Sequence, residues 1–368
     1  MRRQVMIRQG CVDGFSDADP VITVFRGIPY AKPPVDELRW REPQPAEAWD
    51  GVLEAGDFAP MPMQPLPGSD EFYGREWQID ADTPMAEDCL YLNIWTPALR
   101  GCGSGSEIRT DSRCDGHGLP VMVWLYGGAF QTGSTCEKEF NGEQLARQGV
   151  VVVSIAYRLN VFGFFAHAML EKEAVDGRPC ANFGFLDQRM GIQWVKDNIA
   201  LFGGDPANIT VFGQSAGAAS ALAQSVSPMN DGLFQRVIMQ SGGGTGLFNR
   251  HLWSLEDAQR NGARFLKYLE VESIAEARSV PATDLLEAAV TFPACDWSGQ
   301  GDDVVWAPMT IIGFPASMGH SLSSNTVMRL LRDIAFRVIC WWGTRPASSW
   351  FRALMALRIR RVNAAIWI

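Results

Sequence analysis

Four short apolar runs decide what this chain can fold into: LPVMVWLY at 119–126, VVVSIAY at 151–157, ITVFG at 209–213 and RVIMQ at 236–240. They are rich in β-branched residues and nearly unbroken by polar ones. That is the pattern of strands buried on both faces of a mostly parallel sheet, because a strand with one wet face alternates polar and apolar residues. Between them, Ile192, Val195, Ile199 and Phe202 recur at spacings of three and four, an apolar stripe on a helix ended by Gly203 and Gly204. Strand and helix in alternation predict an α/β fold, a mostly parallel central sheet flanked by helices.

The proline-rich N-terminal third, including YAKPPVDELRWREPQPAEAWDG, is expected to wrap the sheet edge as short antiparallel strands and loops within the same domain. Residues 100–118, RGCGSGSEIRTDSRCDGHG, form a polar, glycine- and serine-rich insertion read as a surface loop. SLEDAQRNGARFLKYL, from 254, reads as a helix with Ser254 as N-cap. From Ile334 to the end there are six arginines and four tryptophans with no lysine or acidic residue. Gly343 and Pro346 interrupt any long helix there, so a tail without a fold of its own is preferred over a membrane-binding amphipathic helix. The expected organisation is therefore one domain at 1–338, with the insertion, and an atypical basic tail at 339–368.

Charge and cysteine usage narrow the partners. With 32 basic and 41 acidic side chains the net charge is -9, which argues against nucleic acid or an anionic membrane surface and favours a small-molecule substrate. No apolar stretch has signal-peptide or membrane-spanning length, so the expectation is a protein in the cytoplasm. The eight cysteines lack metal-site spacing. No metal or cofactor is expected, and free thiols are the default, although Cys102 and Cys114 are close enough in sequence to pair across a loop.

The chemistry is concentrated in FGQSAG at 212–217. A G-x-S-x-G turn carries meaning where a strand turns sharply into a helix, holding the serine in a strained conformation with hydrogens in place of side chains two residues either side. ITVFG leads into Ser215, and AGAASALAQSV follows as a helix-compatible run of small residues. Upstream, WLYGGAF at 124–130 is an apolar strand running into two glycines, a turn suited to presenting backbone N–H groups to the oxyanion of acyl transfer. Nucleophile turn and donor turn in that order point to ester hydrolysis.

These and other segments resemble the type-B carboxylesterase family of α/β-hydrolases. FGGDPANITVFGQSAG at 202–217 is similar to its active-serine signature, and EDCLYLNIWTP at 87–97 to its second signature. FRGIPYAKPP, YRLNVFGFF, NFGFLDQ and GLFQRVIMQSG also stand where the family has similar segments. The resemblance implies an α/β-hydrolase fold, Ser215 as nucleophile, and Gly128, Ala129 and Ala216 as oxyanion donors. Tyr126 stands where many relatives have histidine, and Cys89 where a disulfide often forms, but 58–64 holds no cysteine to pair with it.

In that family the triad acid and histidine follow the serine well downstream, and the resemblance stops after Val338. The C-terminal part of the domain is therefore expected to be incomplete. His117 and His167 precede the serine and are read as solvated or structural; only His251 and His320 follow it. His320, with Asp302 or Asp303, is the substitute that chain order offers. The sequence thus supports a carboxylic ester hydrolase, with a catalytically incomplete fragment or a non-catalytic cholinesterase-like binding module as the alternative.

Overall fold

The computed structural model describes residues 3–16, 19–66, 83–99, 118–174, 181–242 and 255–292, together with the backbone of Val338–Trp341. The strands are β1 (Arg3–Met6), β2 (Cys11–Gly14), β3 (Thr23–Pro29), β4 (Val52–Glu54), β5 (Met61–Pro62), β6 (Met85–Ala86), β7 (Tyr91–Thr96), β8 (Leu119–Leu125), β9 (Val151–Ile155), β10 (Gly204–Gln214), β11 (Arg236–Gln240) and β12 (Val338–Trp341). The helices are α1 (Glu143–Ala146), α2 (Asn160–Phe164), α3 (Ala168–Glu171), α4 (Phe183–Asn198), α5 (Ala216–Val226), α6 (Leu255–Tyr268), α7 (Ile274–Ser279) and α8 (Ala282–Thr291).

The central sheet has the strand order 12-11-10-8-9-7-3. Strands β9, β8, β10, β11 and β12 run parallel, while β7 pairs antiparallel with both β9 and β3. All four apolar runs lie in this parallel block, and both faces of it are covered. Val151, Val153 and Ile155 join one core cluster with Val121, Val123, Val211 and Met239. Val152, facing the other way, packs with Val24, Trp95 and Ala146. The stripe Ile192, Val195, Ile199 and Phe202 is fully buried in the first cluster. Its last turn tightens into a 3-10 turn, Ile199–Phe202, and Gly203 ends it with φ 81°.

The N-terminal segment shares this core: Val5, Ile7 and Val12 belong to the same cluster as Val237 and Met239. Its strands are not all antiparallel. β1 and β2 are, but β2 pairs parallel with β4, and β5 with β6. The chain leaves β2, lays β3 along β7, and returns so that Val52–Glu54 runs in the same direction as Cys11–Asp13. The backbone of β12 continues the sheet beside β11, from Val237↔Val338 to Gln240↔Trp341.

Helices α6 to α8 bury Phe265, Leu266, Ala277 and Leu285 in a second cluster with Trp40, Phe162 and Phe183. α6 spans Leu255–Tyr268 as expected, while Ser254, its expected cap, lies outside the described residues. So do nearly all of the 100–118 insertion, Cys102, Cys114 and the tail beyond Trp341. Among the described residues no helix is long and apolar enough to cross a membrane.

Candidate active site

Parallel pairing of β8 with β10 sets Leu125 level with Gly213, and pairing of β10 with β11 sets Gln214 level with Gln240. The residues that follow, Tyr126–Gly128 on one strand and Ser215 on the next, therefore emerge side by side at the carboxyl edge of the sheet, where open α/β folds bind ligands. Ser215 has φ 55° and ψ -120° and sits at the junction of β10 and α5. A side chain in that region costs on the order of 1–3 kcal/mol, held here by the surrounding structure. Its N–H donates to the Gln240 carbonyl at 2.9 Å.

The flanking glycines are required by crowding. A Cβ on Gly217 would lie 2.0 Å from the Leu125 oxygen, and one on Gly213 would lie 2.5 Å from the Gly217 carbonyl. The donor turn is equally close: a Cβ on Gly127 would lie 2.8 Å from the Gln214 oxygen and 3.3 Å from the Ser215 Cβ. Gly128 has φ 102° and Ala129 φ 57°, so the turn passes through left-handed backbone. The Gly128 carbonyl is taken by the N–H groups of Gln131 and Thr132. The N–H groups of Gly128, Ala129 and Ala216 have no acceptor among the described residues. Ser215 itself is half-exposed.

Buried polar side chains brace this turn. Gln64 accepts from the Gly133 N–H at 2.7 Å and donates to the Gly133 carbonyl at 2.9 Å. Asn160 donates its backbone N–H to the Phe130 carbonyl at 2.7 Å and its amide to the Met63 carbonyl at 2.7 Å. Below the turn, Tyr126 stacks on Tyr157 with ring centroids 4.3 Å apart. Glu137 is 4% exposed; its Oε1 accepts from the Ser134 N–H at 2.8 Å, while Oε2 is buried without a partner. Burial pushes its carboxyl up to about 7, a rise the Ser134 N–H only partly offsets. Sequence reading missed Gln64, Asn160 and Glu137, which act on the turn across loops and leave no motif.

The expected histidines fall differently. His167 is buried, accepts the Met169 N–H at its Nδ1 as N-cap of α3, and is held below the usual imidazole pKa by burial. His117, His251, His320, Asp302 and Asp303 lie outside the described residues. Cys89 is a free, buried thiol whose pKa burial pushes well above its usual range.

The sequence model of the carboxylesterase family matches residues 1–315. The chain belongs to the carboxylesterase family. Among the curated proteins it is similar to the fumonisin B1 esterase of Sphingopyxis macrogoltabida, 40% identical over 255 residues that make up 69% of this chain and 42% of that protein. It is equally similar to the para-nitrobenzyl esterase of Bacillus subtilis (strain 168), 40% identical over 72% of this chain and 48% of the relative. Among solved structures, a Geobacillus stearothermophilus carboxylesterase superposes with a TM-score of 0.68 and 36% identity, over 92% of this chain and 61% of that one. The fold is that of the α/β-hydrolase carboxylesterases. This carboxylesterase-family chain spans about half the length of the curated relatives it matches.

Proposed function

We propose that the chain is a carboxylic ester hydrolase whose nucleophile is Ser215. The observation that carries this reading is the position of the serine: a strained residue at the strand-to-helix turn beside the Gly127–Gly128 turn, where the N–H groups of Gly128, Ala129 and Ala216 have no acceptor among the described residues. Attack of Oγ on an ester carbonyl moves an electron pair onto the carbonyl oxygen, where Gly128, Ala129 and Ala216 stabilise it. The serine proton passes to a base, collapse expels the alcohol to leave an acyl-enzyme, and water then releases the acid. Among the described residues the single histidine is the buried His167, so His320, supported by Asp302 or Asp303, is the base to be tested first.

The experiment compares the chain with Ser215→Ala and His320→Gln on a short-chain p-nitrophenyl ester, alongside labelling by a fluorophosphonate probe. Ser215→Ala is expected to lose at least about 10³-fold in kcat and all labelling. Equal rates for the chain and Ser215→Ala, with no labelling at Ser215, would overturn the hydrolase reading in favour of a non-catalytic family relative.

A further inference from the structure

We propose that Tyr157 is a positioning residue for the oxyanion donors, acting through the carbonyl of Tyr126. The proposal rests on the reading of Gly128 and Ala129 as those donors. Tyr126 immediately follows β8, and Tyr157 lies two residues past β9, its parallel neighbour. Their rings stack at 4.3 Å with an interplanar angle of 12°, and both are fully buried. Each phenol bonds the other residue's backbone. The Tyr157 hydroxyl donates to the Tyr126 carbonyl at 2.8 Å, the Tyr126 hydroxyl donates to the Tyr157 carbonyl at 2.9 Å, and the Tyr157 N–H donates to the Tyr126 hydroxyl at 3.1 Å.

The Tyr126 carbonyl belongs to the peptide that enters Gly127, and its direction sets the plane from which the donor turn begins. Two glycines follow, and with no side chains of their own they offer no rotational restraint. The restraint comes from outside. On one side the carbonyl meets the elbow helix, where a Cβ on Gly217 would lie 2.8 Å from it; the Tyr157 phenol binds it as well. The Ser220 hydroxyl of α5 lowers the pKa of the Tyr157 phenol and the Glu137 carboxyl raises it, both less than burial does. Burial keeps that phenol protonated far above neutral pH, so it remains a donor wherever the protein is folded. Being fully buried, Tyr157 touches no substrate and acts only through the peptide it holds.

Tyr157→Phe keeps the ring and removes the bond to the Tyr126 carbonyl. With the same p-nitrophenyl ester, kcat is expected to fall about tenfold or more and KM to stay within about twofold. Affinity for a trifluoromethyl ketone, a mimic of the tetrahedral intermediate, should fall in parallel with kcat/KM. Tyr126→Phe is the control: it removes a phenol from the same stack but leaves the Tyr126 carbonyl paired, so its kcat loss should be smaller at a similar thermal midpoint. An activity-independent readout uses protein labelled with 15N-glycine and 15N-alanine. The Gly128 and Ala129 amide signals should move in Tyr157→Phe while those of the distant Ala277 and Ala289 stay. Unmoved turn amides, equal kcat losses in the two variants, or moved amides with unchanged kcat would each overturn the proposal. If the chain neither hydrolyses the ester nor takes up fluorophosphonate, the hydrolase reading fails, while the amide signals still decide whether Tyr157 sets the turn.

Discussion

A carboxyl group with one oxygen on the Ser134 N–H and the other on nothing is better buried as the acid than as the anion. Glu137 keeps its proton up to about pH 7 in the folded protein, against an ordinary value of 4.5. Between those values folding takes up a proton, so stability falls as pH rises from about 4.5 to about 7 and stays reduced above it. The full penalty is roughly 3 kcal/mol by the usual conversion of pKa shifts. Glu137→Gln replaces the group with a neutral amide of the same shape. The variant should match the parent near pH 4.5 and exceed it by up to about 3 kcal/mol at pH 8, as read by urea unfolding at the two pH values. Equal stabilities at pH 8 would show that the carboxylate is accommodated where it sits.

Elements meet through a few buried charges. Arg158, just past β9, places its backbone N–H, Nε and Nη2 on the Asp187 carboxylate of α4 at 2.7 to 3.0 Å, and both residues are buried. Arg158→Leu should cost about 3–5 kcal/mol because it strands the Asp187 charge, whereas Arg158→Met with Asp187→Leu should recover most of that loss. A double-mutant cycle of unfolding free energies checks both. The runs that became β8 to β11 announced themselves because strands covered on both faces are apolar at every position, and α4 did so through its spacing of three and four. Ser215 and its glycines were legible because their constraint is local, two residues either side. The parallel pairing of β2 with β4, the Gln64 brace and the Tyr126–Tyr157 exchange were not. Each joins residues 31 to 69 positions apart, or depends on the path of a loop, and local periodicity carries no information about such partners.

Across the whole molecule, the helical layer at 255–292 is fastened to the N-terminal segment by two arginines. Arg39 forms a bidentate pair with Glu87 at 2.6 and 2.7 Å and donates to the carbonyls of Ala277, Arg278 and Val280, satisfying the end of α7. Arg278 donates to the Arg39 carbonyl and grips Glu173 at 2.8 and 2.9 Å. Arg39→Ala should therefore loosen α7 and α8 before the sheet: their amides should exchange at least about tenfold faster, with a smaller change in β8 and β10 by hydrogen-exchange mass spectrometry. A uniform change across the chain would mean that the layer is not separately fastened. The fastening also sets a timetable for synthesis. Arg39 and Arg278 are 239 positions apart, so at about 5–20 residues per second the first half of the clamp waits on the order of ten to fifty seconds for the second. During that interval Trp40, whose ring ends up fully buried, has no final packing partner from α6 to α8, and the nascent chain presents a surface that a ribosome-bound chaperone would be expected to cover.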